Sequence, residues 1–204
     1  MQLLILLSVG VLFGSVACDA ECFQKRSMEC SRKLVVEAGS ELQFNYCNFQ
    51  VKMFTCLRTA ASECKMNFLP EAVMVEEVVK ELCKTGSDLN KEFLENKECI
   101  LKSVTDEKCF QPILNILKDK ETERDILLGQ KESCKHLKEI SNCVTENVRK
   151  TCGRKTVPFF QFILEPVVEL HQGYCDEVII PLAKNMKRSV SAELPNVFRT
   201  LGLF

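Results

Sequence analysis

The segment CKHLKEISNCVTENVRKTC, residues 134–152, combines a helical pattern of apolar residues with three evenly spaced cysteines. Its apolar residues recur at spacings of three and four, as on one face of an α-helix: Leu137, Ile140, Val144 and Val148. Residues nine positions apart on a helix are separated by about 13 Å along its axis, whereas a disulfide requires Cα atoms within about 7 Å. The three cysteines therefore cannot pair with one another on one helix, and each must reach another segment.

The rest of the chain repeats this arrangement of cysteines. Twelve of the 13 cysteines fall into two sets of six, with gaps of 7, 16, 8, 7 and 18 residues in the first set and 9, 24, 8, 8 and 22 in the second. Pro70 and Pro158 each lie six residues after the fifth cysteine of their set. The agreement predicts a tandem duplication. The first set is Cys22, Cys30, Cys47, Cys56, Cys64 and Cys83, and the second is Cys99, Cys109, Cys134, Cys143, Cys152 and Cys175.

We expect all twelve cysteines to form disulfides, with three bridges inside each set. Dense cysteines behind a secretory leader indicate folding in an oxidising compartment, where such bridges form and persist. Six cysteines allow several connectivities, and the spacing does not choose among them. The central helix of each set is expected to be the element to which the others are bridged.

Helical periodicity also extends over the first set. An apolar stripe follows the same spacings, with Arg58 at its edge: Phe44, Cys47, Val51, Phe54, Ala61 and Cys64. Pro70 and Pro158 each begin a predicted helix, since proline is tolerated in a first helical turn. Pro166 lies inside the second of these helices and is expected to kink it. With no Asn-Gly or Asp-Gly hairpin signal, the sequence predicts an all-α fold of two tandem disulfide-stapled helical repeats.

The boundary between the repeats is predicted at residues 85–88. Gly86 is suited to the C-terminal cap of one helix, and Ser87 or Asp88 is suited to cap the start of the next. The predicted organisation is a signal peptide over 1–20, repeats over 21–86 and 87–175, and a C-terminal tail over 176–204.

The signal peptide is predicted from the apolar run over residues 3–16, which is followed by small residues. Cleavage after Ala20 removes Cys18 and leaves an even number of cysteines, whereas cleavage after Ala17 leaves Cys18 as an odd thiol. Both positions fit the small-residue rule, and the parity of the cysteines favours cleavage after Ala20. We expect a secreted, extracellular protein whose mature chain has no transmembrane segment.

Charge and motifs exclude several classes of function. The chain has 27 basic and 28 acidic residues, which are interspersed, so we expect no nucleic-acid partner. The chain has no Cys-x2-Cys pair, which is the usual sequence signal of a zinc site. We therefore expect neither metal nor cofactor. No nucleophile elbow or phosphate loop is present, and His136 and His171 are the two histidines. The chain is therefore predicted not to be an enzyme, with no catalytic residue assigned.

An apolar run after the fifth cysteine of the second set is the candidate ligand site. Clamped helices can hold a stable cavity, and these side chains are candidates to line it: Phe159, Phe160, Phe162 and Ile163. Packing in the core or between the repeats is the alternative interpretation of the same run. The chain lacks the close cysteine pairs of saposin-like domains and of insect odorant-binding proteins.

The segment KESCKHLKEISNCVTENVRKTCGRKTVPFFQFI, residues 131–163, resembles secreted cysteine-rich all-α proteins of arthropods and nematodes, including insect hemolymph glycoproteins and venom-gland secretions. The linker from Cys83 to Cys99 looks like the one between units of such proteins, and the similarity covers most of residues 21–175. The resemblance implies a secreted protein without established catalytic residues. The chain departs from the glycoproteins in having no Asn-x-Ser/Thr sequon.

These observations lead to two expectations about function. The first is a secreted, disulfide-rich, non-enzymatic binding protein whose partner is an apolar small molecule or an extracellular protein. In its carrier form, the protein holds a small apolar ligand in a groove or between the repeats. The second is a venom or defence component that acts on another protein.

Overall fold

In the computed structural model of the chain, the described residues are 19–36 and 46–185. Most of the predicted signal peptide and the end of the predicted tail lie outside these ranges. Ala20, the last residue of the predicted signal peptide, lies in the first helix and is buried.

Helices follow one another throughout the described residues, in which no β-strand occurs, so the predicted all-α class is confirmed. The α-helices are α1 over residues 19–36, α2 (Tyr46–Glu63), α3 (Leu69–Cys83), α4 (Asp88–Val104), α5 (Glu107–Leu117), α6 (Glu123–Ser133), α7 (Leu137–Thr151), α8 (Val157–Tyr174) and α9 (Ile180–Asn185). Short 3₁₀ turns lie at Cys134–His136 and Arg154–Thr156, and a π-helical turn lies at Cys175–Ile179.

The predicted helix ends are confirmed where local chemistry defines them. Pro70 and Pro158 both lie in the first turn of their helices, α3 and α8. Gly86 has a φ of +83°, a conformation that glycine adopts at little energetic cost. Ser87 is the N-cap of α4, and its Oγ accepts a hydrogen bond from the Asn90 backbone N–H at 3.1 Å. Helix α8 continues through Pro166.

All twelve predicted cysteines form disulfides, and each bridge stays within its set. In both sets the first cysteine pairs with the fifth, the second with the fourth and the third with the sixth. The pairs are Cys22–Cys64, Cys30–Cys56, Cys47–Cys83, Cys99–Cys152, Cys109–Cys143 and Cys134–Cys175, with Cα–Cα distances from 5.4 to 6.1 Å. The expectation that no bridge joins two cysteines of one central helix is confirmed.

Two disulfides join α1 to α2, and the two helices run antiparallel. Cys22 and Cys30 lie eight residues apart on α1, and their partners Cys64 and Cys56 are also eight residues apart. Equal spacing in opposite directions requires the two helices to run antiparallel, with the bridges about 12 Å apart along the axes. In the second set the corresponding bridges tie α4 and α5 to α7.

The buried apolar residues form two cores that share helices α3 and α8. The first core contains residues of α1, α2 and α3, and also Leu170, Tyr174 and Cys175. The second core lies between α4, α5, α7 and the start of α8, where Phe159 and Phe160 are buried. Helix α3 likewise contributes to the first core and, near its end, packs against the second.

The third bridge of the second set lies in the first core. Cys134 and Cys175 are both buried and belong to the same core as residues of α1, α2 and α3. The two sets of cysteines therefore share a pairing order, but the bridges of the second set are divided between the two cores. The duplication and its boundaries stay predictions.

Candidate functional site

The four predicted ligand-lining residues do not lie together, since three lie in or against the core and one lies at the surface. Phe159 and Phe160 are buried in the second core, and Ile163 packs against it. Phe162 lies on the opposite side of α8 with 56% of its surface exposed. The structure therefore does not bring these four side chains to one cavity, because consecutive residues of a helix point to different faces.

An apolar cavity lies instead between α1, α2, α3 and α8. Its free volume is about 20 Å³, and it is lined by Phe23, Leu57, Phe68, Ala72, Leu170, His171 and Tyr174. A volume of this size holds about one water molecule. Small-molecule pockets usually measure about 300–1,000 Å³. The cavity is therefore too small for a fatty acid, a sterol or a similar apolar ligand.

Aromatic rings form the wall of this apolar cavity. The rings of Phe23 and Phe68 meet edge to face, with centroids 5.1 Å apart, and the ring of Tyr174 lies 5.9 Å from that of Phe23. Gly173 allows α8 to approach this wall, because a Cβ there would come within 3.0 Å of Phe68. Sequence reasoning did not select these residues, although a lone glycine inside a helical pattern is a known signal of close packing.

His171 is one of the two polar side chains that line the cavity. Its Nδ1 donates a hydrogen bond to the Val167 carbonyl at 2.7 Å. Burial lowers the pKa of the imidazole, and the hydrogen bond to Val167 opposes that effect only in part. Burial also raises the pKa of the Tyr174 hydroxyl. Both groups are therefore neutral at pH 7.

The other histidine is at the surface. His136 is partly exposed, and its Nδ1 lies 2.9 Å from Glu139 Oε2 on the next turn. Within the described residues, the hydrogen-bond partner of the His136 ring is this carboxylate. The two histidines lie in different environments and do not form one site.

A polar groove lies on the outside of the molecule between the N-terminal half of α4 and the 3₁₀ turn before α8. It is open to solvent, its volume is about 360 Å³, and it is lined by Asp88, Lys91, Glu92, Glu95, Asn96, Lys155 and Thr156. Thr156 is buried at its base and donates a hydrogen bond to Asn96 Oδ1 at 3.0 Å. The groove therefore presents three carboxylates and two ammonium groups, and the Thr156–Asn96 hydrogen bond lies at its base.

A buried carboxylate links α2 to α3. Glu76 accepts hydrogen bonds from Thr55 at 2.6 Å and from Lys80 at 2.7 Å, and forms an ion pair with Arg58. Burial alone raises the pKa of Glu76, but the bonds from Lys80 and Thr55 and the charge of Arg58 outweigh it, so the pKa lies below its usual value. Arg58 lies at the edge of the apolar stripe, as predicted, and this cluster holds helices together.

Residues 19–36 and 46–185 contain neither a metal-binding cluster nor a membrane-spanning helix. No group of three or more His, Cys, Asp or Glu side chains is placed to hold a metal ion. None of the helices in these ranges is both long enough and apolar enough to cross a bilayer.

Comparison with known proteins adds no assignment to this geometry. No protein-family model matches the chain, and neither a curated protein nor a solved structure matches it.

Proposed function

We propose that this chain is a secreted, disulfide-stabilised binding protein without catalytic activity, which recognises another extracellular protein through its outer surface. The observation that carries the proposal is the size of the apolar cavity, about 20 Å³. A carrier of a small apolar ligand requires a cavity more than ten times larger. Between the two expected functions, the geometry favours a partner protein over an apolar cargo.

The polar groove is the surface best suited to such a partner. Glu92 and Glu95 of α4 and Lys155 of the 3₁₀ turn line the same groove, whose volume is about 360 Å³. Charges of both signs at fixed positions select a partner whose charges are complementary, and they do so mainly by rejecting mismatched surfaces. The Thr156–Asn96 hydrogen bond and the nearby Cys99–Cys152 bridge hold the two sides of the groove together.

Secretion is part of this proposal. Six disulfides within the described residues support folding in an oxidising compartment. The shared pairing order of the two sets supports a duplicated unit. The resemblance to secreted arthropod and nematode proteins supports a role in hemolymph, in defence or in venom.

The carrier alternative is tested by native mass spectrometry of protein purified from a secreting host. We expect the mass of the disulfide-bonded chain alone, and no mass increase after incubation with fatty acids, sterols or phospholipids. A stoichiometric adduct that survives desalting would contradict surface recognition and restore the carrier hypothesis.

The groove is tested with two matched charge reversals. Glu92→Lys alters the groove, whereas Glu165→Lys reverses an exposed charge of α8 outside it. An array of extracellular proteins from the source organism is probed with wild type and both variants. We expect a partner that binds wild type and Glu165→Lys alike, and binds Glu92→Lys at least about tenfold more weakly. Equal binding by all three proteins would rule out the groove as the recognition surface.

A further inference from the structure

One exposed face of α4 is formed by Leu94, Lys97, Glu98 and Leu101, called here the α4 face. Their spacings of three, four and seven residues place them along one side of the helix. All four are exposed, and the two leucines have 57% and 44% of their surfaces accessible. The face is therefore a short apolar ridge with one positive and one negative charge at its centre.

This ridge is distinct from the other exposed apolar side chains of the described residues. The other large exposed apolar residues either stand singly on their helices or are adjacent in sequence, as Val35 and Val36 are. Single exposed apolar residues are normal on any protein surface and need no partner. Two leucines seven residues apart, however, form the kind of seam by which helices pack on one another.

The charges at the centre of the α4 face have no ion-pair partner within the described part of the molecule. The ion pairs of α4 in this part join Lys91 to Asp88, and none includes Lys97 or Glu98. Adjacent residues on a helix point about 100° apart, so Lys97 and Glu98 do not face each other on one chain.

The α4 face is complementary to itself under a twofold rotation. The midpoint between Leu94 and Leu101 is also the midpoint between Lys97 and Glu98. If two copies of α4 pack antiparallel about that point, Leu94 of each copy meets Leu101 of the other. The same rotation places Lys97 of each copy opposite Glu98 of the other, so the interface contains two Lys97–Glu98 pairs.

We propose that the α4 face is an isologous dimer interface, whose occupant is a second copy of this chain. Twofold self-complementarity is what such an interface requires. The net charge of −1 also brings little long-range repulsion between copies. One helix pair buries less than the roughly 1,200 Å² of a stable interface, so the dimer is weak and forms reversibly as concentration rises. This inference goes beyond the proposed function and does not depend on it.

Sedimentation velocity over a concentration series tests the interface. We expect the wild type to move from monomer towards dimer as its concentration increases. Leu94→Asp removes the apolar contact at both ends of the seam and is expected to abolish the shift. Leu128→Asp, which alters an exposed leucine of α6, is the control and is expected to leave it unchanged. Circular dichroism checks that both variants remain folded, since both positions are exposed.

The twofold register is tested by exchanging the charges. K97E or E98K alone places like charges opposite each other twice, and is expected to raise the dimer Kd by about tenfold. The double variant K97E/E98K restores opposite charges and is expected to recover the wild-type Kd. Zero-length cross-linking of mixed light and heavy-isotope chains is expected to join Lys97 of one copy to Glu98 of the other.

Three results would overturn the proposal. The first is a monomer at every concentration up to the solubility limit. The second is a dimer that persists in Leu94→Asp, which would place the interface elsewhere. The third is a double charge exchange that weakens the dimer further, because it would show that the two faces do not meet in this register.

Discussion

Gly173 of α8 lies directly against Phe68, the residue before α3, so that an added Cβ would come within 3.0 Å of the Phe68 Cβ atom. The two residues are separated by more than half of the described chain, and they meet beside the apolar cavity. Phe68 is buried and contributes its ring to the cavity wall. The contact is where the end of α8, which belongs to the second set of cysteines, enters the first core.

Gly173→Ala is expected to destabilise the protein by about 1–3 kcal/mol, because the new methyl group meets the backbone-proximal atoms of Phe68, which cannot move aside. Gly129→Ala is the matched control, since its Cβ would come close to the flexible end of the Leu117 side chain, at 2.9 Å, and would meet Ile116 at an ordinary contact distance of 3.7 Å. The gain in helix propensity from glycine to alanine, about 1 kcal/mol, is common to both. Urea unfolding measures both variants, and equal stabilities would contradict the close approach of α8 to Phe68.

Stability is expected to fall as pH decreases below about 6.5, owing to His171. Its pKa is lowered in the folded state by burial, while the unfolded chain binds a proton at the ordinary value of about 6.5. Protonation therefore favours the unfolded state, and the stabilisation present above pH 6.5 is lost progressively below it. Thermal unfolding between pH 7.5 and 5.5 measures the decline. His171→Gln is expected to flatten it and His136→Gln is not; the reverse result would contradict this assignment.

Glu76→Gln is expected to lower the free energy of unfolding by about 1–3 kcal/mol at pH 7, because the buried carboxylate loses charged hydrogen bonds. The pKa of Glu76 is lowered in the folded state, so its contribution is present above the ordinary pKa and lost as pH falls below it. Glu77→Gln changes the exposed neighbour on α3 and is the control. Denaturant unfolding at pH 7 and at pH 3 checks both statements, and a variant as stable as wild type at pH 7 would show that the cluster is not stabilising.

Disulfide mapping is expected to find the same pairing order in both sets of cysteines. A non-reducing digest should yield peptides that join Cys134 to Cys175 and Cys47 to Cys83, the third and sixth members of the two sets. Tandem mass spectrometry identifies these peptides directly. A different order in the two sets would argue against the duplication.

Removal of the Cys134–Cys175 bridge is expected to loosen the first core, although both cysteines belong to the second set. The double variant C134S/C175S should lose about 2–4 kcal/mol and show faster hydrogen exchange in α1 and α2 as well as in α8. C99S/C152S removes a bridge beside the second core and should leave exchange in α1 largely unchanged. Faster exchange confined to α7 and α8 in the first variant would mean that the cores are energetically separate.

Much of the fold could be predicted from local sequence patterns. Helical spacing predicted the central helix of each set, and the proline positions predicted the starts of α3 and α8. Gly86 and Ser87 marked a helix boundary because their preferences are properties of the residue and its neighbours alone. The rise of 1.5 Å per residue also excluded bridges within a central helix without knowledge of any partner.

The candidate site was harder to predict from the sequence, because it depends on which helical faces meet. The apolar run from Phe159 to Ile163 was predicted to be a ligand wall or part of a core, and periodicity alone did not distinguish the two. The cavity residues Phe23 and Phe68 come from segments far apart in the chain. No local pattern indicates that they share a wall with Tyr174.

The sequence by itself determined the all-α class, the twelve bonded cysteines and the ends of several helices, because spacing, capping and charge act over a few residues. Only the tertiary structure decided the pairing order, the sharing of α3 and α8 between two cores, and the small size of the apolar cavity. Those properties arise from contacts between distant segments. Each helix has an apolar face that must be covered, and the packing of the whole chain selects the face that covers it.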